Sequence, residues 1–195
     1  HVRSRRQRQM CIRDRYDAKG LLMSAIQEDN LVVFSEDKTL LGQKGNVPEE
    51  PYTIEIGKAN VTREGDDLTI VAIGKMVAVA EETAEKLAED QVSVEVIDLR
   101  SVSPWDQETV LDSVKKTGRL IVIDESNPQC NIAGDVASVI GDVGFDYLDG
   151  PIKKVTAPDT PVPFAANLEA AYMPNADKVL DIASELIDDL KKANA

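Results

Sequence analysis

Two adjacent carboxylates, an amide and a thiol stand close together in this chain, at Asp124, Glu125, Asn127 and Cys130. Paired carboxylates suit general acid–base work, and a thiolate becomes a nucleophile when a neighbouring base activates it. All four fall in Leu120-Ile-Val-Ile-Asp-Glu-Ser-Asn-Pro-Gln-Cys-Asn-Ile-Ala-Gly-Asp135, which reads as a buried strand, a polar loop with a proline, and the start of a helix. Loops at the carboxyl ends of strands are where α/β proteins place binding groups. The missing ingredient is a base. The only histidine is His1, and Cys11 is the one other cysteine; both belong to an opening stretch unlike the rest of the chain. Residues 16–195 therefore hold no histidine and a lone thiol. That rules out a histidine triad, a thiolate–histidine zinc site and an intrachain disulfide there. Cys130 reads as a small apolar filler rather than a nucleophile.

A second chemical candidate is Gly74-Lys75, which ends an apolar run and precedes a helical pattern whose amino terminus could hold an anion. The phosphate-loop spacing, four residues between two glycines and then Lys-Ser/Thr, is absent, as is a Gly-x-Gly-x-x-Gly fingerprint. Gly74 then serves the sharp strand-to-helix turn. Mixed Lys and Glu on the helices read as a solvated face.

The elements that carry these residues follow from charge and periodicity. The chain has 195 residues, 43% hydrophobic, with a formal charge of −13. That is room for one full domain and part of another, with apolar content enough for a core. No apolar run reaches bilayer length. An acidic balance argues against nucleic acid, whose phosphates demand Lys and Arg, and fits a cytoplasmic protein. Residues 1–15 break the pattern, with six arginines and one acid; the remainder carries 16 basic and 34 acidic side chains, a charge of −18. The opening lacks the apolar core of a secretory signal. It resembles translated adapter sequence joined to a truncated gene, so the expectation is a non-native leader, and no element is assigned to it.

Residues 17–28 place Leu21, Leu22, Ala25 and Ile26 at helical spacing, and 31–35 read as a short strand. Residues 36–65, with glycines, two prolines and many charges, read as a long connection, with an edge strand at 52–56. From 66 onward strands alternate with helices. Strands are expected at 68–73, 92–97, 120–123 and 151–156. Helices are expected at 76–89, from Ser103-Pro104-Trp105-Asp106 to Gly118, at 131–143 and at 175–192. Ser103 reads as the cap with Pro104 at the first helical position, and Leu190 with Val179, Ile182, Ala183, Leu186 and Ile187 as the core face of the last helix. This alternation predicts an α/β fold of three layers, a mostly parallel sheet between helices.

With the elements in place, four blocks stand out together: Ile54-Glu-Ile-Gly-Lys-Ala-Asn-Val-Thr-Arg-Glu-Gly65, Leu68-Thr-Ile-Val-Ala-Ile-Gly74, Val94-Glu-Val-Ile-Asp-Leu-Arg100 and Val155-Thr-Ala-Pro-Asp-Thr-Pro-Val-Pro-Phe164. Across residues 16–195 the chain resembles the beta subunits of thiamine-diphosphate-dependent dehydrogenase complexes, which share their fold with transketolase. The resemblance implies a remnant of the pyrimidine-binding domain at 16–35, a linker at 36–65 and a transketolase carboxyl-terminal-like domain at 66–195. Asp124 to Cys130 looks more like acetoin dehydrogenase beta subunits than like pyruvate or branched-chain 2-oxo-acid dehydrogenases, which carry a Gly-Gly-Phe-Gly-like segment there.

The resemblance further implies an active site divided between subunits. An alpha subunit holds the diphosphate and a divalent metal, while a glutamate in the amino-terminal domain of beta contacts the aminopyrimidine. The stretch bearing that glutamate is not in this chain, so no catalytic or cofactor-binding residue is assigned. The implied partners are an alpha subunit, a second beta subunit and a dihydrolipoyl acyltransferase core; the implied work of this part is assembly. The resemblance also implies a potassium site on the carbonyls of Ala25 and Ile26 with Glu28 and Asn30, where unpaired helix-end carbonyls suit a hard cation. A self-standing α/β binding module is the reading of another class.

Overall fold

In a computed structural model, residues 7–12, 14–38 and 45–193 are described, with the side chains of 188–193 excepted. His1 and the side chain of Leu190 lie outside the described residues. The elements are β1 (Arg8–Ile12), α1 (Arg15–Gln27), β2 (Val32–Glu36), β3 (Asn60–Arg63), β4 (Leu68–Ala72), α2 (Met76–Glu89), β5 (Val94–Asp98), β6 (Ser101–Ser103), α3 (Gln107–Thr117), β7 (Leu120–Ile123), α4 (Ile132–Val143), β8 (Lys153–Val155), α5 (Ala166–Tyr172) and α6 (Ala176–Ala193). Among the described residues no helix is long and apolar enough to cross a membrane. The chain forms two compact units, one of residues 1–60, 73–75 and 98–106, the other of 61–72, 76–97 and 107–195.

The larger unit is the α/β layer structure that the alternating pattern predicts. Its sheet has the order β3-β5-β4-β7-β8, and β4, β7 and β8 are parallel neighbours, Ile70 opposite Ile121 and Ile123 opposite Val155. Every residue of β4 and β7 is buried, as expected for strands covered on both faces. Successive side chains point to opposite faces. Leu68, Ile70 and Ala72 join Val77, Ala80 and Ala84 of α2 and Val179, Ala183 and Leu186 of α6 in one apolar cluster. Thr69 points the other way, where its hydroxyl meets Ser113 at 2.6 Å and Thr117 at 2.7 Å on α3. Helices α2 and α6 thus cover one face, and α3 with its neighbour α4 the other.

Gly118 acts as the sequence suggests, and Asn131 adds a cap that the structure reveals. Gly118 takes φ +70° and its N–H donates to Val114 O at 2.8 Å, ending α3 in the left-handed region that glycine enters freely. Asn131 caps α4, accepting from Gly134 N at 2.7 Å. Gly65 is required for a different reason: a Cβ there would lie 2.1 Å from the backbone carbon of Val94.

The smaller unit departs from expectation. Arg8–Ile12, inside the stretch set apart as a leader, is the central strand of a three-stranded sheet of order β2-β1-β6. It runs parallel to β2, Arg8 opposite Val32, and antiparallel to β6. The physical reason is alternation: Met10 and Ile12 turn inward, fully buried, and pack with Leu21 of α1. Arginine count hid that pattern. Residues 52–56 are not an edge strand; they lie extended along α1, with Ile54 N donating to Gly20 O at 3.2 Å and to Ser24 Oγ at 3.1 Å. The strand in this region is β3. Nor does Ser103 cap a helix: it closes β6, and α3 starts four residues later.

Candidate functional site

The strand-end loop that carries Asp124, Glu125, Asn127 and Cys130 is wound by its own hydrogen bonds. Asp124 is 4% exposed. One carboxylate oxygen accepts from Ser126 N at 2.9 Å and from the Ser126 hydroxyl; the other accepts from Ala133 N at 3.4 Å, in the first turn of α4. A carboxylate at a helix amino terminus meets unpaired N–H groups and the positive end of the dipole. Both oxygens are therefore engaged in shaping the turn. Cys130 sits exposed at φ +52°, remote in role from the buried Asp124. The four residues do not converge into an acid–base pair.

Instead the loop is clamped to the stretch after β8. Ala157 N donates to Ser126 O at 3.2 Å, Gln129 Nε2 donates to Asp159 Oδ2 at 2.9 Å, and the Tyr172 hydroxyl donates to Asn127 Oδ1 at 3.0 Å. Tyr172 is the one buried residue of α5. What this arrangement can do is hold residues 124–131 and 157–172 as one platform.

At Gly74-Lys75, glycine takes φ +57° and the Lys75 ammonium lies 3.7 Å from Asp37 Oδ2. The lysine is committed to an internal carboxylate, which is the plain turn reading rather than an anion cradle.

The four residues of the implied cation set do come together at the end of α1, beside a cavity of about 570 Å³ lined by Arg8, Ser24, Gln27, Glu28, Ile54 and Glu55 among others. Two of the four oxygen donors already have partners within the chain. Glu28 accepts from the Asn30 amide nitrogen at 2.5 Å and pairs with Arg8 Nε at 3.2 Å, bonds that do not involve the Asn30 amide oxygen. The Ala25 carbonyl accepts from Glu28 N at 3.3 Å and keeps a second lone pair. Among the described residues no group of three or more His, Cys, Asp or Glu side chains could hold a metal.

Three polar constellations were not legible as sites in the sequence. Asp17, 1% exposed, takes a two-pronged ion pair from Arg100, Nε at 2.9 Å and Nη2 at 2.6 Å. The Lys19 ammonium donates to the carbonyls of Pro48, Glu49 and Glu50 and lies 5.2 Å from the Tyr52 ring centre. Glu95, 3% exposed, is bonded by Lys116. Burial pushes the Glu95 carboxyl up, but the hydrogen bonds from Lys116 and Ser113 outweigh it and hold the group below 4.5; the same bond raises Lys116 above 10.5. Each pairs residues 21 to 83 positions apart, a distance no local spacing encodes.

Comparison with known proteins gives these features a family. The transketolase C-terminal domain family matches residues 57–179. The beta subunit of acetoin:2,6-dichlorophenolindophenol oxidoreductase from Bacillus subtilis is 52% identical over 172 residues, 88% of this chain and 50% of that protein. The subunit of the same name from Cupriavidus necator is 45% identical over 170 residues, 87% of this chain and 50% of its own length. The pyruvate dehydrogenase E1 component subunit beta from Bacillus subtilis is 46% identical over 174 residues, 89% and 53% of the two chains. The chain thus spans about half the length of the relatives it matches. A solved split-gene transketolase, described as an inactive beta4 tetramer, shares the fold with TM-score 0.78 at 24% identity, over 93% of this chain and 57% of that one. On the residues matched and the layered sheet they form, this chain belongs to the transketolase C-terminal domain family.

Proposed function

We propose that the chain is part of the beta subunit of a thiamine-diphosphate-dependent acetoin dehydrogenase, working within a cytoplasmic complex that cleaves acetoin and passes its two-carbon unit to lipoamide. The observation that carries this reading is the identity difference within one organism: 52% to the acetoin oxidoreductase beta subunit against 46% to the pyruvate dehydrogenase beta subunit, both from Bacillus subtilis. Pyruvate is the second reading, supported by that 46% figure.

In such an enzyme thiamine diphosphate supplies the carbanion chemistry, and protein supplies position and electrostatics. The residues of this chain serve assembly. Asp124 is tied into its turn, Lys75 is paired with Asp37, and residues 16–195 hold no histidine, so the groups that touch the diphosphate and its metal come from an alpha subunit. The further partners in this proposal are a second beta subunit and the acyltransferase core.

The test is an assay of the purified chain with thiamine diphosphate and magnesium, followed by addition of a purified acetoin oxidoreductase alpha subunit. The chain alone is expected to turn over neither acetoin nor pyruvate, and to bind the alpha subunit. Turnover by the chain alone, or no binding to alpha where an intact beta subunit binds, overturns the assignment. The latter outcome favours a self-standing binding module.

A further inference from the structure

Residues 48–56 lie along α1 without joining a sheet or forming a helix. Two of the nine are prolines, Pro48 and Pro51, which bring no N–H to a ladder. Their side chains alternate. Pro51, Thr53 and Glu55 are exposed, whereas Tyr52, Ile54 and Ile56 turn partly inward. The two isoleucines pack on the cluster of Met10, Ile12 and Leu21. None of the nine is fully buried, while Leu21 of that cluster is 1% exposed. An element with few buried contacts and solvent-exposed hydrogen bonds sits at the low end of local stability.

What holds the segment is a row of residues on one face of α1: Tyr16, Lys19, Gly20 and Ser24. The Lys19 ammonium has three hydrogens to give, and the consecutive carbonyls of Pro48, Glu49 and Glu50 receive them in solvent-exposed bonds. The Tyr52 hydroxyl donates to Tyr16 O at 2.8 Å, and the two rings stack with centres 4.6 Å apart. Gly20 makes room, since a Cβ there would lie 2.6 Å from Ile54 Cγ1 and 2.8 Å from Tyr52 Cε2. Ser24 ends the row, accepting from Ile54 N and donating to Ile54 O. Past Ile56 the chain bends at Gly57, φ +89°, and is anchored where Ala59 N donates to Asp106 Oδ2 at 3.1 Å. We propose that residues 48–56 are a strap that opens about Gly57 as a unit, with Lys19 as its latch, while β1 and α1 stay folded. Residues 53–56 line the cavity at the end of α1 together with Ser24, Gln27 and Glu28. Closing the strap builds that cavity and opening it takes a wall away, so a group that binds there shifts the strap toward closure.

The experiment follows native-state amide exchange of the full chain by NMR, comparing the Ile54 amide on the strap with the Leu21 amide on α1. Lys19→Met removes the three donors and leaves an apolar side chain on the helix. Gly20→Ala acts from the other side: alanine favours a helix over glycine, so α1 gains, while the new methyl presses on Ile54 and Tyr52. Lys153→Met, which removes an ammonium 3.8 Å from Glu185 in the larger unit, controls for lost charge alone. In wild type, Ile54 is expected to exchange through a smaller opening than Leu21. Lys19→Met and Gly20→Ala should each speed Ile54 exchange about tenfold or more, with Leu21 unchanged or slower. A glutamyl endopeptidase should cut both variants faster than wild type at Glu49, Glu50 and Glu55, and Lys153→Met should match wild type in both assays. Exchange of Ile54 and Leu21 through one common opening, or equal acceleration of both in the variants, overturns the strap. Wild-type exchange and cleavage in Lys19→Met, or the same acceleration in Lys153→Met, overturns Lys19 as its latch.

Discussion

Glu95 and Lys116 show how one ion pair can set a pH limit on a fold. Glu95 lies on a strand whose five residues are all buried, so its charge is tolerated only because Lys116 reaches it from α3, with Ser113 adding a hydrogen bond. Its folded carboxyl stays below the ordinary 4.5. A depressed carboxyl contributes stability that is fully present above its unfolded value and is lost as pH falls through the folded one. The expected outcome is therefore a loss of thermal stability that begins near pH 4.5 and deepens below it. Glu95→Gln should lower the melting temperature at pH 7, where the ion pair is intact, and should show a shallower fall between neutral and acid pH. Parallel melting curves for the two proteins from pH 7 to pH 3 would rule this out. Lys116 works in the opposite direction, its contribution present below 10.5 and lost above its raised folded value.

At the scale of elements, the clamp between the strand-end loop and the segment after β8 makes the next prediction. Tyr172→Phe removes the hydroxyl that joins Asn127 to Thr160 while leaving the buried ring in place. A lost hydrogen bond of this kind costs about 1 kcal/mol. The cost should appear locally, as faster amide exchange in residues 126–131 and 157–164, with little change in β4. Uniform loss of protection across both regions would show that Tyr172 holds the whole unit rather than the clamp. This clamp also marks where sequence reading stops. The helix from Met76 to Glu89 and the strand from Leu120 to Ile123 were legible to the residue, because burial on one face writes a helical period into the first and burial on both faces writes a continuous apolar run into the second. Thr69, Ser113 and Thr117 were not, since a buried hydroxyl trio looks the same in sequence as three surface hydroxyls. Ser103 read as a cap because Ser-Pro is a strong helix-start signal; pairing of residues 101–103 with β1 overrode it. Asp124 and Cys130 looked like one site because they are six positions apart, yet the turn buries one and exposes the other.

For the whole chain, the two compact units differ in the apolar surface each buries. In the larger unit one cluster joins seventeen buried residues from β4, α2, β5, β7, β8 and α6. In the smaller, among the described residues, one cluster comprises Met10, Ile12 and Leu21, and Ile73, Leu99 and Trp105 are buried besides. Each fully buried side chain of that size contributes about 1.5–3 kcal/mol, so the shorter roll of buried side chains offsets less of the backbone entropy there than the larger cluster does in its own unit. The buried Asp17–Arg100 pair adds little net stability, because the desolvation penalty of a buried pair offsets much of its Coulomb gain. The two units should therefore open at different free energies, as native proteins do in cooperative pieces. Native-state amide exchange at low denaturant is expected to show β1 and α1 exchanging through a partial opening. Ile70 and Ile121 amides should exchange only with global unfolding. If the Met10 and Ile121 amides converge on one free energy and one denaturant slope, the units unfold as a single body and buried apolar area is not what ranks them.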